Sequence, residues 1–138
     1  MHIRRHDSER GAALIEFAIS AILLFTLLFG MVEAGWALSN QLDLRHAARE
    51  GARVAAIGAD NTTIVNTTCA AIKAGAFRDN ATVSINGGAA VGDTVIVRVQ
   101  SPSTGLTGFL PVFNSLNLDD RAVIYLEQDP NFGAGGPC

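Results

Sequence analysis

Between Phe17 and Val32 the chain reads FAISAILLFTLLFGMV, a run without a charged residue. With AALIE before it and EAGWAL after it, the stretch reaches the roughly 20 residues that a helix needs to cross a bilayer. Glu16 and Glu33 bracket the run. At about 1.5 Å of rise per residue they lie ~25 Å apart on a helix. Each acid is therefore expected near one membrane edge. Trp36 follows at the far interface, where an amphipathic ring is at home.

The flanks extend this reading. Residues 1–11, MHIRRHDSERG, are polar and carry Arg4, Arg5 and Arg10, as a short cytoplasmic leader would. Beyond the apolar run, Ser39 to Gly58 is alanine-rich and free of proline. Leu44, Ala48, Gly51, Ala52 and Ala55 recur at three-to-four spacing and form one small, apolar stripe. Arg45, Arg49 and Arg53 recur on another face. The spacing predicts one helix from about Ala12 to Ala56, with Gly58 as its stop. The arginine stripe reads as a solvated face. The small stripe can pack on the chain's own domain or on a neighbouring helix.

After residue 60 the texture changes. Asn61 to Ala76 reads as a second, short helix capped by Asn61 or Thr62. Ala81–Ile85, Asp93–Gln100 and Arg121–Gln128 carry strand patterns, with a turn at Asn86-Gly87-Gly88. Val95, Val97 and Val99 share one face. Between the last two strands lies a long apolar loop with Leu106, Phe109, Leu110, Val112, Phe113, Leu116 and Leu118. It is expected to cover a sheet face or a partner. The tail from Asp129 is rich in Gly and Pro and is expected to be irregular. The fold class is α+β: a long N-terminal transmembrane helix running into a small external domain with a short helix and a three-stranded, mostly antiparallel sheet. The divisions are a leader at 1–11, the long helix within 12–60 and the external domain at 61–138.

Several function classes are disfavoured. The net charge of −3 and pI near 5.5 give no electrostatic case for nucleic acid. His2, His6 and His46 have no ligand spacing, and no Cys-x-x-Cys pair exists, so neither a metal nor another cofactor is expected. Cys69 and Cys138 can form a disulfide if the chain is exported, or stand as two independent thiols. Nothing points to an enzyme. Ser101 and Ser103 have no base in sequence reach, and Asp119-Asp120 reads as a turn before a strand rather than a metal site. Asn61, Asn66 and Asn80 head Asn-x-Thr triplets, which carry weight only in a eukaryotic secretory path.

The sharpest local pattern is Gly11-Ala12-Ala13-Leu14-Ile15-Glu16-Phe17. A basic leader ends in glycine, an apolar helix begins at once, and a glutamate sits fifth within it. This resembles a prepilin processing site. The combination of RGAALIEFAI, the apolar span, LRHAAREGARVAA and the late GDTVIVRVQSP strand resembles the TadE-like family. That resemblance implies a pseudopilin, or minor pilin, for assembly of a Tad (Flp) adhesive pilus. It implies cutting between Gly11 and Ala12 by a prepilin peptidase, and Glu16 with Phe17 as the helix-register acid and its aromatic follower. Partners implied are other pilin-like subunits (the major Flp pilin, a TadF-like protein) and the inner membrane. The expected location is the bacterial cytoplasmic membrane, N-terminus in the cytoplasm and C-terminal domain outside, with a place in the pilus left open.

Two alternatives stand beside it. A secreted protein would be cut after Ala34, and an uncleaved single-pass anchor would not be cut at all. Arginines 4, 5 and 10 balance arginines 45, 49 and 53 across the span, so counting positive charge leaves the orientation tied.

Overall fold

The computed structural model describes residues 6–73, 75–103, 105–108 and 116–138, with side chains from Gly11 onward except at Ala76. Helix α1 spans His6–Ala56, continuous through the apolar run and the alanine-rich segment. It starts six residues earlier than its expected beginning at Ala12. Arg4 and Arg5 of the leader lie outside the described residues. Gly58 follows α1 with φ +75°, and its amide bonds the Ala55 carbonyl at 3.1 Å. This is the left-handed stop that only glycine takes without strain.

Asn61 to Ala76 forms two helices rather than one, α2 at Asn61–Ala70 and α3 at Gly75–Arg78. The cap of α2 is Asp60, one residue before the expected Asn61 or Thr62. Its carboxylate accepts from the Thr63 amide at 3.2 Å and the Thr63 hydroxyl at 2.6 Å. Asn61 is occupied elsewhere, as described below.

Strands β1 (Thr82–Gly87), β2 (Thr94–Pro102), β3 (Asn117–Tyr125) and β4 (Gly135–Pro137) form one sheet in the order β3-β2-β1-β4, antiparallel throughout. The sheet therefore has four strands where three were expected, and the tail is its edge rather than irregular chain. Gly135 explains why. Its φ is +101°, and a Cβ there would collide with the Val83 carbonyl. The tail can pair with β1 because glycine permits the approach. Asn61 then brackets Gly135, accepting from its amide at 3.1 Å and donating to its carbonyl at 3.4 Å. A disulfide joins Cys69 of α2 to Cys138, next to β4.

The turn between β1 and β2 comes later than Asn86-Gly87-Gly88. Gly87 still pairs with Val95, and Asp93 ties the turn by accepting from the amides of Ala89 (3.0 Å) and Ala90 (3.2 Å). Asp119 and Asp120 sit inside β3 rather than before it. Their side chains go to opposite faces, as strand alternation requires.

One face of the sheet packs on α1 and α2. Val95, Val97 and Val99 are buried there with Val83 and Ile85. Ala52, Ala55, Ile64 and Leu126 join Val83, Ile85, Val95 and Val97 in one cluster, while Leu44, Ala47, Ala48, Ile72, Phe77 and Ala81 surround Val99 in another. The small stripe of α1 thus packs on its own domain. At Gly51 a Cβ would run into the Thr68 side chain, so glycine sets how closely α1 and α2 approach. On the other sheet face Val123 and Tyr125 are exposed, and Arg98 pairs with Asp119 at 2.6 Å.

Candidate functional site

The residues singled out in the sequence lie at the amino-terminal end of α1. Gly11, Ala12, Glu16 and Phe17 are exposed and helical. Gly11 has nothing within 4 Å of where a Cβ would stand, and it does not adopt positive φ. The fold therefore has no steric or backbone need for glycine at this point. In a helix interior glycine costs up to about 1 kcal/mol relative to alanine. Ala12 and Glu16 are one turn apart on the same helix face.

From this end α1 stands clear of the domain. Leu14, Ile15, Phe17, Ile22 and Leu24 are each more than half exposed. Among the described residues this is one helix long and apolar enough to cross a membrane, with a mean hydropathy of 2.4 in its most apolar window, none of it buried. Such a surface has no favourable place in water.

Within this stretch Glu33 is fully buried, although Ala34, Gly35 and Leu38 on other faces of the helix remain exposed. Leu106 and Thr107, from the connection between β2 and β3, bond to the Glu33 carboxylate. The Leu106 amide donates to Oε2 at 2.9 Å, the Thr107 amide to Oε1 at 2.9 Å, and the Thr107 hydroxyl also to Oε1. A buried carboxylate needs such donors, since an unpaired one would cost far more than the bonds return. Sequence reading placed Glu33 at a membrane edge but missed this seat. Its partners lie more than 70 residues away, and no local pattern announces them. Of the expected apolar loop, Phe109, Leu110, Val112 and Phe113 lie outside the described residues.

Beyond Glu33, α1 is held to β3 by polar contacts. Gln41 Nε2 donates to the Asp119 carbonyl at 2.8 Å, and Arg45 Nε meets Asp120 Oδ2 at 3.2 Å. Arg53 pairs with Glu50 at 2.7 Å, which holds the Glu50 carboxyl below the usual carboxylate range. The arginine stripe is an exposed face with two of its three members ion-paired. Ser101 Oγ donates to the Phe77 carbonyl at 2.7 Å, a structural bond inside the core. No group of three or more metal-capable side chains occurs among the described residues.

Gly11, Glu16, the apolar span and the domain-facing stripe thus follow one another along a single helix. Residues 11–53 match the family model of TadE-like proteins. The match starts at Gly11 and ends three residues before the helix does. No curated protein and no solved structure matches the chain. The matched segment therefore covers the exposed apolar part of α1 and most of the stretch that packs on the domain. This stretch is what the chain shares with TadE-like proteins, and the apolar helix within it is long and apolar enough to cross a membrane.

Proposed function

We propose that this chain is a pseudopilin, a minor pilin-like component for assembly of a Tad-type adhesive pilus. It is made as a precursor, and a prepilin peptidase cuts it between Gly11 and Ala12. The observation that carries this reading is the position of the family match, which begins at the glycine for which the fold gives no other use. Cleavage there leaves a charged amine on Ala12 at the head of an apolar helix. Such a charge is costly in hydrocarbon unless paired. Glu16 is the acid available to pair with it, within the helix or across to the amine of an axially staggered neighbour. The second arrangement sets the register of assembly with other pilin-like subunits, the major Flp pilin and a TadF-like protein among them. The domain lies outside the cytoplasmic membrane and the leader inside. The role is structural, not catalytic.

Cleavage after Ala34 is the competing reading, and Glu33 speaks against it. That cut would remove the carboxylate to which Leu106 and Thr107 are bonded, and would interrupt a continuous helix. N-terminal sequencing of the membrane-extracted protein separates the readings, Ala12 against Gly35. Gly11→Leu should abolish processing. Glu16→Ala should be inserted and cut yet fail in piliation, while Glu16→Asp retains some of it. Normal pili from Glu16→Ala would remove the register role. Unchanged cutting in Gly11→Leu would remove the prepilin reading itself.

A further inference from the structure

The Leu106–Thr107 segment bonded to Glu33 stands where the uncharged run of α1 ends. Val32, one residue before Glu33, is 42% exposed and Met31 is 69% exposed. Leu106, whose amide is held by Glu33, is 52% exposed. One helical residue is about 1.5 Å of rise, so the loop backbone lies within a turn of the end of the span. The loop is fixed at its base as well, where the Ser103 amide bonds the Leu116 carbonyl at 2.6 Å. A large apolar side chain is thus held at the level where a bilayer crossed by Phe17–Val32 would end.

The hydrogen bonds bear on what can cover it. Unsatisfied amides exclude irregular backbone from contact with lipid. Here the Leu106 and Thr107 amides and the Thr107 hydroxyl are all satisfied by one buried carboxylate. The clamp removes three donors that would otherwise hold water at the loop. It also offsets the cost of an acid at the membrane boundary.

We propose that residues 105–108 form a second membrane contact beside α1, with Leu106 resting in the headgroup–acyl boundary and Glu33 as the residue that seats the loop there. The occupant is lipid, because Leu106 is exposed and its amide is bonded to Glu33, the neighbour of the exposed Val32 that ends the uncharged run. This rests on the membrane-anchored reading of α1, and the test separates the two. Both native cysteines are joined to each other, so a single added cysteine can carry an environment-sensitive fluorophore. The full chain is reconstituted in phosphatidylcholine vesicles with the label at Ile22→Cys, Leu106→Cys or Val123→Cys, and quenched by nitroxide lipids of different depth. The expected result is quenching at 22 by deep nitroxides and at 106 by shallow ones, with the label at 123 in water. Glu33→Gln cannot accept all three bonds, and in that background quenching at 106 should fall at least twofold while that at 22 is unchanged. Quenching at 106 no greater than at 123 overturns the lipid contact, as does a label at 106 shielded from both water and nitroxide by a second copy of the chain. Unchanged quenching at 106 in Glu33→Gln overturns the seating role. An unquenched label at 22 would sink the membrane-spanning reading instead.

Discussion

Two acids show how differently single residues declare themselves. Asp60 caps α2 and its carboxyl is held below the usual aspartate range, first by the Thr63 hydroxyl and then by the Thr63 amide. A depressed folded-state pKa adds stability above the unfolded value and loses it as pH falls through the folded one. This contribution should be intact at neutral pH and disappear below about pH 4. Asp60→Asn keeps a cap acceptor but cannot titrate, so urea midpoints of that variant should fall less steeply with acid than those of the parent. Parallel acid limbs would refute the assignment. A cap was legible as a class of residue at this position, and only its placement was off by one, because Asn61 turns instead to Gly135. Glu33 was legible as a charge at the end of an apolar run. Its burial was not, since the donors come from a distant loop whose own sequence reads only as apolar.

At the scale of elements, periodicity carried furthest where one face had to be buried. The three-to-four stripe of α1 and the alternating valines of β2 both proved to be core. Boundaries drifted where a strand lacks strong alternation. β3 starts at Asn117, through two adjacent acids that read as a turn. Those acids are tolerated because Asp119 meets Arg98 on one face and Asp120 meets Arg45 on the other. What the stripe could not reveal was its partner, and Gly51 decides that. Gly51→Ala should destabilise the domain by about 1–3 kcal/mol through overpacking against Thr68. Thr68→Ala removes the nearest obstructing atom, so the double variant should lose less than the sum of the two single losses. Strict additivity in thermal unfolding would mean that the helices do not touch as described.

For the whole molecule, the α+β class and the single long helix were legible, and the fourth strand was not. A Gly- and Pro-rich tail has no strand pattern, and only long-range partners make Gly135–Pro137 an edge. Chief among them is the Cys69–Cys138 bridge, which spans 69 residues. Closing a loop of that length stabilises by about 4 kcal/mol in the chain-entropy model, often less in practice. Cys69→Ser with Cys138→Ser should lower the urea midpoint accordingly and free β4 to exchange its amide hydrogens faster than β2. Alkylation of both thiols in the unreduced parent would show that the bridge is not formed.

The unbroken run of α1 from the exposed apolar end into the core makes the helix a mechanical rod with the domain clasped round one half of it. A pull along its axis reaches the domain as shear across the seam from Leu44 to Ala56, where many small side chains share the load at once. It does not arrive at a strand end, where ladder bonds would break in succession. The edge strand and its covalent tie lie off this line of force. A displacement of one helical turn at Glu16 therefore becomes the same ~5.4 Å step of the entire sheet, with no joint between them to absorb it.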